Sequence, residues 1–172
     1  MDTALAQFET LFNQYSDAIF RHLQYRLGDR ERAKELTQEV FMRTWQHLAT
    51  GKHIEYEKAF LYKIANNLFI NEIRTDKTKT SLEQLEEVHG VEAVSTLSSP
   101  EKIAEEQELQ IFIQSLSPPY RDVLIYRYID DMTVKDIAKL LGEKETNISM
   151  RLKRATEKLR QTYNLTPHES ET

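Results

Sequence analysis

The sequence predicts an all-α fold: two small helical domains joined by a flexible acidic linker, the C-terminal one a helix-turn-helix. Three observations lead there. Only four glycines and four prolines punctuate 172 residues. Apolar residues recur at helical three- and four-residue steps on both sides of one long interruption. The charge is also segregated, with acids gathered in the middle and bases near the C-terminal end of a chain whose net charge is −5.

Leu5, Phe8, Phe12, Tyr15, Ile19, Leu23 and Leu27 define one long amphipathic helix. Gly28 suits a left-handed stop, and Asp29 can cap the helix that follows. That second helix carries Ala33, Leu36, Val40, Phe41, Thr44, Trp45 and Leu48 on its inner side and closes at Gly51. A third runs from about Tyr56 to Arg74, with Leu61, Ile64, Ala65, Leu68 and Ile73 inward. Residues 1–75 therefore read as the N-terminal domain.

From Thr75 to Pro100 the chain is rich in Thr, Ser and Glu and poor in large apolar side chains, so residues 76–102 are expected to form the linker. Order returns with Ile103, Leu109, Phe112, Ile113 and Leu116. Ser117 before Pro118-Pro119 is a helix start signal, with Ser117 as the expected cap. The helix it starts, about Pro119 to Ile129, presents Val123, Leu124 and Tyr128 to the core and is broken by Asp130-Asp131. Thr133 and Asp136 stand in capping-box spacing before a short helix to Leu141. After Gly142 a last helix carries Ile148, Leu152, Ala155 and Leu159. Residues 103–163 read as the second domain and 164–172 as a disordered tail.

Val134 to about Leu152 fits a helix-turn-helix. Ala138 allows two helices to cross closely, Gly142 takes the turn, and Ile148 packs back between the helices with Ile137 and Leu141. The second helix then exposes Asn147, Met150, Arg151, Lys153 and Arg154; Lys144 and Thr146 at its entrance complete the candidate DNA contacts. Arginine and lysine neutralise phosphates, while arginine and asparagine form paired hydrogen bonds to base edges.

The same residues exclude other classes. There is no Gly-rich phosphate loop and no H-E-x-x-H. His22, His47, His53, His89 and His168 lack ligand spacing, cysteine is absent, and Asp130-Asp131 reads as a turn. No catalytic centre, metal, cofactor or small-molecule substrate is expected. No apolar run is long enough to span a bilayer, and the N-terminus lacks a signal peptide's pattern, so the expected location is the cytoplasm.

Both halves resemble one family, the extracytoplasmic-function (ECF) group of bacterial sigma factors. The run Ala33-Lys34-Glu35-Leu36-Thr37-Gln38-Glu39-Val40-Phe41-Met42-Arg43-Thr44-Trp45 is similar to that family's polymerase-binding helix, roughly A-E-D-L-x-Q-E-x-F-x-R-x-W. The run from Phe60 to Arg74 resembles W-L-x-x-I-A-x-N-x-x-x-D-x-x-R, and Leu116 to Leu159 resembles the domain that reads the upstream promoter element. Four places depart from the pattern: Lys34 for an acid, Phe60 for Trp, Asn71 for Asp, and Glu143-Lys144-Glu145-Thr146-Asn147 for I-P-x-G-T.

The resemblance implies a factor that binds core RNA polymerase and directs promoter-specific initiation without catalysing anything itself. It implies that Glu35, Gln38, Glu39 and Arg43 dock on the polymerase clamp helices. It also implies that the loop Gly51 to Glu57 and the start of the third helix capture an unstacked base of the downstream (−10) element. Tyr62, Asn66, Asn67 and Arg74 are the candidates there, with Lys52 and Lys63 for phosphates. The C-terminal helix-turn-helix would read the upstream (−35) element. The implied partners are core RNA polymerase, promoter DNA and an anti-sigma factor, which in many family members is membrane-bound. The competing reading is a stand-alone helix-turn-helix regulator that binds palindromic DNA as a dimer.

Overall fold

Several helix boundaries fall where the capping chemistry of the chain places them. The computed structural model describes residues 2–80 and 99–163. Helix α1 spans Asp2–Leu27 and ends at Gly28, whose φ of +72° a side chain would strain. A Cβ at Gly28 would also meet the Gln114 side chain at 3.2 Å. The Asp29 carboxylate accepts the Arg32 N–H at 3.0 Å and opens α2, Arg30–Ala49. Helix α3 spans Glu57–Thr80, running past the expected stop at Arg74. No glycine or proline breaks the chain there, and Thr75 Oγ1 returns a hydrogen bond to Asn71 O at 2.9 Å. Helix α4 (Pro100–Ser115) is followed by α5 (Pro118–Leu124), α6 (Val134–Leu141) and α7 (Glu145–Tyr163). The middle of the expected linker, 81–98, and the expected tail, 164–172, lie outside the described residues.

The chain divides into two compact units, Met1–Ser115 and Leu116–Thr172. In the first, α1, α2 and α3 enclose Leu11, Ile19, Leu23, Val40, Leu48, Leu61 and Ala65, all buried. Each large aliphatic side chain there stabilises the unit by roughly 1.5–3 kcal/mol. Leu5 and Phe12, expected inward, are 48% and 45% exposed. Both lie at the open end of the α1–α2 seam, where the Phe8 and Phe12 rings still meet Phe41 edge-on.

A polar knot lies within this core. Arg26 Nη1 donates to Asn66 Oδ1 at 3.0 Å, and its guanidinium lies 3.7 Å from the centre of the Phe69 ring. His22 meets the Tyr62 ring edge-on. A buried guanidinium persists only with such partners, because stripping its water is costly.

Helix α4 belongs with this first unit. Gln110 Nε2 donates to Gln24 O at 3.4 Å, and Gln114 Nε2 donates to Tyr25 O. The sequence reading grouped α4 with the residues that follow it; the compact units instead part at Ser115.

The second unit is built on α5 and α7, with α6 laid against α7 and the segment after α5. Ser117 does not cap α5 through its side chain; its carbonyl accepts from Tyr120 N and Arg121 N instead. After Leu124 the backbone widens into a π segment, Ile125–Ile129. This widening explains a misplaced aromatic. A 3.6-residue period aims Tyr128 inward, but Tyr128 is 66% exposed, while Ile125 and Tyr126 are fully buried. The segment closes with Asp130 N donating to Ile125 O at 3.0 Å, and Asp131 turns the chain at φ +50°. Thr133 and Asp136 form the expected capping box.

Candidate nucleic-acid interface

The turn between α6 and α7 determines which side of α7 meets solvent. Gly142 takes φ +68°, and the Glu143 N–H donates back to Ala138 O at 2.9 Å. Ile148, Leu152 and Ala155 then point into the core, with Ile137 and Ala138 buried against them. The opposite face of α7 is left outward. Thr146, Asn147, Met150, Lys153 and Arg154 are exposed, as is Lys144 in the turn.

Asn147, Met150, Arg151 and Arg154 line a groove of about 360 Å³ with Pro119 and Tyr120 of α5. Met150 is 56% exposed in its floor. Lys158 lies 5.3 Å from the Tyr120 ring centre. An amide, a thioether and a guanidinium beside one another can read base edges, and the flanking lysines can neutralise phosphates. Arg151 differs from its neighbours: it is partly buried and makes two hydrogen bonds to Glu143, at 3.0 and 2.7 Å.

The candidates on α3 separate into two groups. Lys63, Asn67 and Arg74 are exposed and follow one helical stripe with Ile70 and Asn71; Arg74 Nη2 donates to Asn71 Oδ1 at 3.3 Å. Tyr62 and Asn66 are a correction. They are 1% and 7% exposed, and Asn66 Oδ1 is engaged by Arg26, so neither offers an edge or a face to a base in this fold. Each lies three residues from a core residue, Tyr62 before Ala65 and Asn66 before Phe69, which puts both on the inner face.

Lys52 is exposed in the loop ahead of α3. That loop is pinned to α1 where Gln7 Nε2 donates to Ile54 O at 2.9 Å. Sequence reasoning passed over the loop's aromatic, Tyr56, which is 69% exposed. Its signal was a large side chain one residue before the helix start.

On α2, Glu35 and Gln38 are exposed, and Glu39 Oε1 accepts from Arg43 Nε at 2.7 Å. Glu35 is engaged by Arg32, which also bonds Glu72 on α3. Those hydrogen bonds, Glu72 first and then Glu35, hold the Arg32 guanidinium above its ordinary pKa. Beside Gln38 lies an apolar groove of about 430 Å³ formed by Leu5, Phe8, Phe12, Phe41, Met42 and Trp45. Its α1 wall was read from sequence as core. Among the described residues, no helix is long and apolar enough to cross a membrane, and no cluster of His, Asp or Glu side chains could hold a metal ion.

Comparison with known proteins places both halves. Residues 11–79 match the family described as Sigma-70 region 2, and residues 106–159 match Sigma-70, region 4. The second match begins inside α4. The chain is 26% identical over 157 residues to the ECF RNA polymerase sigma factor SigM of Bacillus subtilis, covering 91% of this chain and 94% of that protein. It is 29% identical over 164 residues to SigW of the same organism, covering 89% and 87%. The sigma factor RpoE of Bartonella quintana, solved in complex with the anti-sigma factor NepR, shares the fold: TM-score 0.74 at 18% identity, over 92% of this chain and 98% of that one.

Proposed function

The chain belongs to the ECF group of bacterial RNA polymerase sigma factors, and from that membership we propose how its residues divide the work of starting transcription. It binds core RNA polymerase and directs promoter-specific initiation. The observation that carries this is the order of the two matches, region 2 over 11–79 followed by region 4 over 106–159. A stand-alone regulator would need only the second, so that alternative is not favoured.

In our reading the outer face of α2, through Glu35, Gln38, Glu39 and Arg43, meets the polymerase. These charges sit on a rigid helix whose inner stripe is buried, so they keep a fixed pattern for a protein partner to match. The exposed stripe of α3 (Lys63, Asn67 and Arg74), with Lys52 in the preceding loop, meets the downstream element. The outer face of α7, through Lys144, Thr146, Asn147, Met150, Lys153 and Arg154, meets the upstream element in the major groove. Residues 76–102 serve as the connection between the two DNA-reading halves, and the acid-rich stretch from Ser81 to Glu108 suits a channel built for nucleic acid.

The factor performs no catalysis of its own and works in the cytoplasm. Because RpoE of Bartonella quintana is held by an anti-sigma factor, we extend that mode of control to this chain. The test is reconstitution with core RNA polymerase on a library of genomic promoter fragments. Transcripts that start at defined sites only when the chain is present are the expected result. Core enzyme whose start sites are unchanged by the chain would refute the reading.

A further inference from the structure

Arg151 on α7 has both Nη groups engaged within its own unit. Its Nη1 donates to Glu143 Oε1 at 3.0 Å and its Nη2 to Glu143 Oε2 at 2.7 Å, the parallel two-bond pairing of a guanidinium with a carboxylate. The two side chains are 25% and 30% exposed. Glu143 is not free to drift. Its own N–H is tied to Ala138 O, and the turn before it is held by Gly142 in the left-handed region. Arg151 lies eight residues further on, where the helix has returned the chain to the same side.

We propose that Glu143 is a positioning residue for promoter reading: it withholds the Arg151 guanidinium from DNA and leaves the upstream element to Asn147, Met150 and Arg154. Spending the Arg151 fork on a guanine would break both hydrogen bonds and strand the Glu143 carboxylate beside the phosphates of a polyanion. The base contact therefore has to overcome two opposing terms. The pair also removes one positive charge from the recognition helix, which lowers sequence-independent attraction to any duplex. What remains is a short reading face of one amide, one apolar side chain and one guanidinium in a single groove. These chemistries suit adenine, the thymine methyl and guanine respectively.

This inference rests on the sigma-factor reading above. The test assembles the full chain with core RNA polymerase and selects from duplexes carrying a randomised upstream segment. Wild type is compared with E143Q, R151A and the double variant across a salt series. In an otherwise wild-type chain, R151A should leave the enriched sequence unchanged and lower affinity by less than about tenfold, evenly across sequences, because it leaves the Glu143 carboxylate without its partner. E143Q frees the fork, so binding to random duplex should rise and the slope of log affinity against log salt should steepen by about 0.9. Adding R151A to E143Q should remove both gains.

The proposal is overturned if R151A costs about tenfold or more in both backgrounds and changes the selected sequence, because Arg151 then reads DNA directly. It is equally overturned if E143Q lowers the melting temperature but leaves the salt slope and the selected sequence unchanged. If wild-type holoenzyme enriches no sequence beyond core polymerase alone, the sigma-factor reading itself fails, a result visible before any variant is compared.

Discussion

Two outward-facing helices of this molecule handle their charges in opposite ways. On α2 the ions pair with one another: Lys34 with Glu31 at 2.5 Å, Arg32 with Glu35, and Arg43 with Glu39 at 2.7 Å. On α7, among the described residues, Lys153 and Arg154 have no acidic partner within ion-pair distance, while Arg151 pairs with Glu143. Stability does not explain the difference, because an exposed pair contributes about 0–1 kcal/mol. Recognition does. A helix that docks on protein benefits from a fixed mosaic of both signs, whereas one that docks on DNA needs cations available to replace counterions.

The comparison can be broken in several places. The largest effect is expected in the core that supports the proposed DNA-reading face. Ile148→Ala removes a fully buried side chain beside Ile137 and Ala155 and should destabilise the second unit by about 2–5 kcal/mol. Hydrogen exchange should then lose protection in α5–α7 while α1–α3 keep theirs; loss in both would mean the units do not fold separately.

Next comes charge reversal on α2. Glu35→Lys with Glu39→Lys should weaken binding to core polymerase by about 2 kcal/mol or more if the contact is desolvated. Helicity by circular dichroism should be unchanged, since both residues lie off the Leu36–Val40 stripe. Unaltered affinity would reduce the mosaic to a solvated surface.

A smaller effect belongs to α7. Arg154→Ala should cost about 1–3 kcal/mol at one position of the upstream element in the holoenzyme. Lys153→Ala should weaken all sequences alike and reduce the salt slope by about 1. Equal, sequence-independent losses for both would make α7 a phosphate clamp rather than a reader. The smallest change is Lys34→Ala, expected within about 0.5 kcal/mol in chemical denaturation because its partner Glu31 is itself exposed.

Much of this was legible in the residues, for identifiable reasons. Stops at Gly28 and Gly142, the Asp29 cap and the Thr133–Asp136 box are local chemistry, and each is present in the fold. The outward face of α7 followed from the 3.6-residue period of Ile148, Leu152 and Ala155. What escaped was nonlocal. A π segment shifts the register after Leu124, so Tyr126 rather than Tyr128 fills the core. Tyr62 and Asn66 fit a nucleic-acid site by type, yet His22, Arg26 and Phe69 claim them for a buried polar knot. The Glu143–Arg151 pair was hidden because an acid in a basic stretch reads as a change of composition until the turn brings the two together.

We propose that α7 reads promoter DNA only as part of an assembly with core polymerase. With a net charge of −5, the chain alone is expected to neutralise few phosphates. Docking on polymerase would hold the two proposed DNA-reading halves at a fixed spacing and raise the effective concentration of the second contact. The most direct measurement is DNA affinity with and without core polymerase at one salt concentration, on duplexes selected by the holoenzyme. The account predicts weak, unselective binding by the free chain and tight, sequence-specific binding by the holoenzyme. Tight, sequence-specific binding by the free chain as a dimer would contradict it.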